Sequence, residues 1–288
     1  MSLPTSHRPT QTARSSKPSD SPPAPASRLL VRVADGFAFS GGLAAAVAAL
    51  LSGVSSQALG APTATTWAVL AASGAFIVYA LDRLRDIDRD LAGSPLRTAF
   101  IVRNRSPLTI AIGLAAIGLA VSLVQASASI VLLCVAIGGI GLFHRRLKEN
   151  TALKTAYVSL AWVGACAGMP WLASGLGRAG FWVSGILLAS LLANLIASNL
   201  QDHEPRAGSG FDRSDPATIL WLARGVTLAG IAIGLAAPAA FRPMVWIPVC
   251  EGVALAAYRP TERYGQFAID GALLIGAIVT MMHFAMAG

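Results

Sequence analysis

The chain has 288 residues, of which 55% are apolar and 12% charged, and its mean hydropathy is +0.62. A soluble domain carries roughly 25% charged residues to keep itself in water, so a soluble enzyme, a disordered regulator and a disulfide scaffold are all excluded. The formal charge of +8, from 22 Lys and Arg against 14 Asp and Glu, fits loops facing anionic lipid and gives no reason to invoke nucleic acid.

Residues 1–27 hold six Pro, seven Ser and three Thr. Such a segment cannot bury enough apolar surface to fold, so the sequence predicts a disordered cytoplasmic tail. It lacks the short apolar run that a signal peptide carries behind its basic start. Beyond it, apolar runs alternate with short polar punctuation at about 35–53, 65–82, 107–125, 128–143, 155–174, 180–199, 217–237, 242–258 and 267–286. A spanning helix needs roughly 20 apolar residues, and the run at 128–143 is short. The expected fold is all-α: a polytopic bundle of about nine transmembrane helices over residues 28–288. Cys134, Cys166 and Cys250 each lie inside an apolar run. With no CxxC and no His pairing they read as packing residues.

The loops set the expected orientation. The tail carries Arg8, Arg14, Lys17, Arg28 and Arg32, and the loop after the second run Arg83, Arg85, Arg89, Arg97, Arg103 and Arg105. Later loops of the same parity add Arg145, Arg146, Lys148, Lys154, Arg206, Arg213, Arg259 and Arg263. The opposite face shows Arg178 and Arg242, and Arg224 falls inside the seventh run. The positive-inside rule then places the N-terminus in the cytoplasm and the C-terminus across the membrane, a bacterial inner membrane on this composition.

Basic loops have no topological need for acids, since Asp and Glu contribute little to orientation. Yet eight of the 14 carboxylates fall in two loops: Asp82, Asp86, Asp88 and Asp90, then Asp202, Glu204, Asp212 and Asp215. Asp82, Asp86 and Asp90 stand at i, i+4 and i+8, one face of a helix. Stacked like charges repel, which a Mg²⁺ ion sharing one or two carboxylates with a phosphate would relieve. The alternative is a solvated helix end neutralised by Arg83, Arg85 and Arg89. In the second cluster, Asn194 and Asn199 lead out of a buried run to Asp202, three residues beyond Asn199. Asn194 reads equally as an interhelical hydrogen-bonding group.

The order of these elements resembles the UbiA superfamily of intramembrane prenyltransferases. Tyr79-Ala-Leu-Asp82-Arg-Leu-Arg-Asp86-Ile-Asp-Arg-Asp90 is similar to the family's first motif, NDxxDxxxD: Asp86 and Asp90 take its last two acids, Asp82 its Asn, and Arg83 its first Asp. Arg103-Asn-Arg105-Ser-Pro107-Leu108 resembles the Arg-Pro-Leu that follows, with Ser106 interposed. Phe143-His-Arg-Arg-Leu147-Lys148, then Lys154 and Trp162, is similar to the segment after the fourth span. Asn194 to Arg206 is similar to the second motif, NxxxxDxxDxxxD, with Asn199 in place of its first acid and Arg206 in place of its last.

The resemblance implies Mg²⁺-dependent transfer of an isoprenyl group from a prenyl diphosphate to an aromatic or lipidic acceptor within the membrane. It implies metal ligands Asp82, Asp86, Asp90, Asn199 and Asp202, with Asp86, Asp90 and Asp202 central to catalysis. Lys148, Arg103, Arg105 and Lys154 would bind diphosphate, as donors beside a departing anion do; as membrane anchors they would do nothing more. Tyr79, Asn194, Tyr157 and Trp162 would line the substrate pocket, where aromatic faces stabilise a cation, or else form an interfacial belt. Glu251, deep in the eighth run, and Asp270, near the start of the ninth, are further candidates for acceptor binding or proton transfer. Arg224 stands inside a span, where an acid from a neighbouring helix could pair with it; the sequence does not decide its role.

Two other readings compete. One is a catalytically silent bundle or a transporter that binds a lipid or a partner; polar clusters at one face rather than the midplane argue against a conduit. The other, phosphatidyl transfer from a CDP-alcohol, requires an Asp-Gly and Ala-Arg element upstream of Asp82 that is not in register here.

Overall fold

The computed structural model of the protein describes residues 25–147, 151–201 and 215–287. Its regular elements are all helical: α1 (Pro25–Phe39), α2 (Gly42–Leu59), α3 (Ala64–Arg85), α4 (Ile87–Gly93), α5 (Pro95–Arg103), α6 (Arg105–Val124) and α7 (Ala128–Leu147), then α8 (Thr151–Val163), α9 (Met169–Ala173), α10 (Ala179–Gln201), α11 (Pro216–Ala236), α12 (Trp246–Ala256), α13 (Glu262–Tyr264) and α14 (Asp270–Ala287). Among the described residues, eight stretches are long and apolar enough to cross a membrane: 42–59, 64–85, 105–124, 152–173, 179–200, 216–236, 239–256 and 262–286. The protein is an integral membrane protein with an all-helical polytopic fold.

The expected ninth span, 128–143, lies in α7. That helix has 20 residues. Leu142 and Phe143 carry its apolar run to His144, at the short edge of the roughly 17 apolar residues that a crossing requires. The N-terminal boundary differs from expectation. Residues 25–27 of the expected tail already belong to α1, and the run predicted to span from 35 is divided at Ser40-Gly41. Gly41 has φ +92, and a Cβ there would stand 3.3 Å from that of Tyr79. The chain turns where only glycine both tolerates the dihedral and admits the neighbour. The rest of the expected tail, 1–24, lies outside the described residues.

Packing sorts the helices into a centre and a periphery. Of the spanning stretches, 56% of 179–200 and 50% of 42–59 is buried, against 11% of 105–124, so α2 and α10 form the middle of the bundle. On α6, Ile110, Leu114, Ile117, Val121 and Val124 form an exposed stripe at alternating spacings of four and three, one helix face turned to lipid. Leu51, Val54, Ile186, Leu187, Met244 and Ile247 are fully buried at the centre.

Three spans depart from α-geometry. The span beginning in α8 passes through a π-helical turn, Gly164–Gly168, before α9. Pro170 accounts for it: proline has no N–H to give the carbonyl four residues back, and its ring crowds that carbonyl. A 3₁₀ segment, Ala239–Val245, contains Pro243 and precedes α12, and a second π-helical turn, Gly265–Ile269, leads into α14.

One end of the bundle is bound by polar contacts between distant segments. Glu262 accepts hydrogen bonds from the backbone N–H groups of Leu96 (3.2 Å) and Arg97 (2.7 Å) at the start of α5. Arg263 pairs with Asp35 of α1 at 2.9 Å. The end carrying Asp82 to Asp90 is therefore also the end where the last span begins.

Candidate membrane-embedded site

The first acidic motif lies across the α3–α4 junction. Asp86 is the joint, with φ −104 and ψ 19. Even so, the Asp86 N–H donates to the Asp82 carbonyl and the Asp90 N–H to the Asp86 carbonyl, both at 2.9 Å. Four-residue register survives the bend, and the three acids remain successive steps along one edge. Their environments differ. Asp86 is 6% exposed, and Asp90 is bridged at 3.1 Å by the buried Arg97 guanidinium. Arg83, which stands where the resemblance would place an acid, is buried with its guanidinium 5.5 Å from the Tyr79 ring centroid. The first acid is thus replaced by a cation stacked on an aromatic face.

One turn deeper, Tyr79, Trp162 and Asn194 line a single cavity, together with Ala44, Val47 and Asp270. Tyr79 and Trp162 meet edge to face, with ring centroids 6.0 Å apart and planes at 88°, a favoured aromatic arrangement. Opposite them the Asn194 side-chain amide donates to Asp270 at 3.2 Å. Five helices build this chamber: α2 supplies a small-residue wall, α3 and α8 the rings, α10 and α14 the polar pair. Its free volume is about 10 Å³, roughly what one water requires. Both π-helical turns adjoin it, one just after Trp162 and one ending immediately before Asp270. Tyr157, half-buried on α8, is not among the lining side chains.

No protein-family model, curated protein or solved structure matches the chain. The chemistry of the site must be argued from its own residues.

The second acidic motif is described only up to Gln201. Within it the Asn199 amide donates to the Thr155 hydroxyl at 2.8 Å, joining α10 to α8. Asp202, Glu204, Arg206 and Lys148 lie outside the described residues. Among the described residues, no group of three His, Cys, Asp or Glu side chains is placed to hold a metal ion. Of the expected diphosphate ligands, Arg103 and Arg105 are exposed on either side of the α5–α6 junction, and Lys154 is half-buried beside Thr155.

Among the described residues, the partners of Arg224 are backbone carbonyls and an aromatic ring. Its guanidinium donates to the Leu255 carbonyl at 3.1 and 3.0 Å and to that of Ala256 at 3.4 Å, and it stacks on Trp221. It satisfies the last carbonyls of α12, which have no partner within their own helix. Glu251, on the same helix, is fully buried, and neither carboxylate oxygen has a hydrogen-bond partner among the described residues.

Three residues important here were not visible as site residues in the sequence. Ala44 and Val47 are ordinary apolar residues, and nothing marks them as cavity wall. Thr155 carried one weak signal, a polar residue at i−4 from Ser159 on an otherwise apolar helix.

Proposed function

We propose that the protein is a Mg²⁺-dependent intramembrane prenyltransferase of the UbiA type, acting on an isoprenyl diphosphate and an aromatic or lipidic acceptor. The observation that carries this reading is convergence. Tyr79, Trp162 and Asn194, from three separate helices and named from the sequence as pocket residues, line one chamber. That chamber lies one helical turn below the Asp82–Asp86–Asp90 edge.

The donor set suits a shared ion and not a caged one. Mg²⁺ ordinarily takes one or two carboxylates, keeps waters and completes its shell with phosphate. Asp82 and Asp86 would hold it on the α3 side and Asp202 on the other; Asp90, already paired with Arg97, would act through that pair. Bound there, the ion would neutralise charge on the departing diphosphate. In the reaction the allylic C–O bond breaks and its electron pair leaves with diphosphate. The acceptor then bonds the allylic carbon and gives up a proton. The Tyr79 and Trp162 faces would stabilise the carbocation, and the Asn194–Asp270 pair would orient the acceptor. Since the chamber holds about one water, substrate would have to part the surrounding helices; the two π-helical turns flank it, a feature frequent at functional sites. The basic end would face the cytoplasm, in keeping with the loop charges. With α7 counted as a crossing, the C-terminus lies on the other side, in a bacterial inner membrane.

The test is release of inorganic diphosphate from geranyl, farnesyl and geranylgeranyl diphosphates by protein in membranes containing Mg²⁺ and a lipid extract as acceptor source. Release is expected with at least one donor, falling by about 100-fold or more in Asp86→Asn, the order seen when transition-state charge stabilisation is removed. Release unaffected by Asp86→Asn would sink the assignment. The Asp90–Arg97 and Asn199–Thr155 pairs favour a second reading, in which the motif residues hold the bundle together and the protein binds a lipid or partner without turnover. That reading predicts no release with any donor.

A further inference from the structure

Helix α1 joins the bundle where two spanning stretches begin. The stretch 42–59 starts three residues after α1 ends, and the stretch 262–286 starts at Glu262. Arg263, the next residue, pairs with Asp35 of α1 at 2.9 Å. Phe39 meets Phe100 of α5 with ring centroids 6.2 Å apart, and Ala38 is buried in the central core. The second half of α1 is therefore held at the level where spans meet water.

This helix is amphipathic. Leu29, Leu30, Val33 and Phe37 fall within about 100° of arc at the usual helical turn per residue. They are 63, 71, 63 and 47% exposed, so the described bundle leaves the stripe bare. Residues 1–24 offer only Met1 and Leu3 as large apolar side chains with which to cover it. Asp35 and Phe39 are on the opposite face, where the contacts to the bundle lie. Arg32, also exposed, stands on the flank between the two faces. With 15 residues α1 is too short to cross the bilayer, being about 22 Å long against roughly 30 Å of hydrocarbon.

A helix of this kind lies in the plane of the interface, its apolar face at the acyl boundary and its basic flank among the phosphates. Charge decides which lipid suits it. Arg32 is exposed, as is Arg103 on α5, three residues beyond Phe100. Arg263 keeps 52% of its side chain exposed while it pairs with Asp35. The surplus beside the stripe is positive, which favours anionic headgroups.

We propose that α1 is an interfacial docking helix for the anionic phospholipid of the surrounding bilayer. Its apolar stripe enters the headgroup layer, and Arg32 reaches the phosphates. Through the Asp35–Arg263 pair the same docking holds the start of the last span against the membrane surface. This role is independent of prenyl transfer.

Hydrogen exchange of the full-length protein in lipid nanodiscs tests it, comparing phosphatidylcholine alone with an equal mixture of phosphatidylcholine and phosphatidylglycerol. Amides of residues 29–37 are expected to exchange about tenfold more slowly in the anionic discs. Arg32→Gln should abolish the difference between the two compositions, and Val33→Asp should make exchange fast in both. Both positions are exposed, and unchanged exchange in α2 and α10 verifies that each variant is folded. Equal exchange of the unsubstituted protein in the two compositions overturns the proposal. So does slow exchange that survives Val33→Asp, because other parts of the chain would then cover the helix. Protection confined to discs holding two copies would assign the stripe to a second copy, and overturns it too.

Discussion

At the scale of single residues, Gly276 has the tightest backbone neighbour of the described glycines. An added Cβ would meet the Ile247 Cα at 2.7 Å and the Trp246 carbonyl at 2.9 Å, both backbone atoms that cannot swing aside. Gly276→Ala should therefore destabilise by about 1–3 kcal/mol, the usual cost of overpacking. Gly74, helical on α3 with nothing within 4 Å of its Cβ position, should respond oppositely. Gly74→Ala is expected to stabilise by about 0.4–1 kcal/mol through the unfolded chain. Thermal melts of both variants in one detergent check the pair; equal responses would mean that α12 and α14 do not meet at Gly276.

Among elements, the instructive case is α12, which is only 11 residues long and is completed at each end by other parts of the chain. A 3₁₀ segment leads into it, and Arg224 from α11 takes up its final carbonyls. Arg224→Leu should cost about 1–3 kcal/mol by leaving those carbonyls unsatisfied. Arg224→Lys should recover part of that loss, because one ammonium reaches fewer acceptors than a guanidinium fork. Melting temperatures in the order native, Lys, Leu are expected; a Leu variant as stable as the native protein would mean the carbonyls find other partners. The sequence marked Arg224 as an anomaly within a span, and its partners among the described residues are backbone carbonyls. Backbone acceptors have no letter in a sequence, so a helix end in need of donors cannot be read from it.

The same distinction runs through the rest of the chain. Apolar run length is a direct physical requirement of the bilayer, and eight spanning stretches follow it. Interruptions were harder to read. The Ser40-Gly41 turn and the π-helical turns depend on what each segment packs against. Tyr79, Trp162 and Asn194 stood out in the sequence as polar or aromatic residues within apolar runs, and they line one cavity. The Asp90–Arg97 and Asn199–Thr155 pairs were not, since both join residues that spacing alone does not connect.

For the whole molecule, the layout is a bundle with α2 and α10 at its centre and one end held together by Glu262, Arg263 and Asp35. Acidic, aromatic and amide side chains from α3, α8, α10 and α14 face inward near that end, while exposed apolar stripes such as that of α6 face lipid. A prenyl diphosphate needs both features, an oxygen-rich end for its headgroup and an apolar interior for its tail. The most direct measurement is the melting temperature of the purified protein with geranylgeranyl diphosphate, with and without Mg²⁺, alongside Asp86→Asn. A ligand held only by the folded state stabilises it by mass action, by about 2.7 kcal/mol at a hundredfold excess over Kd. The account predicts a rise that requires diphosphate and Mg²⁺ together and vanishes in Asp86→Asn. A melting temperature indifferent to the pair, at this donor length and at shorter ones, would contradict it.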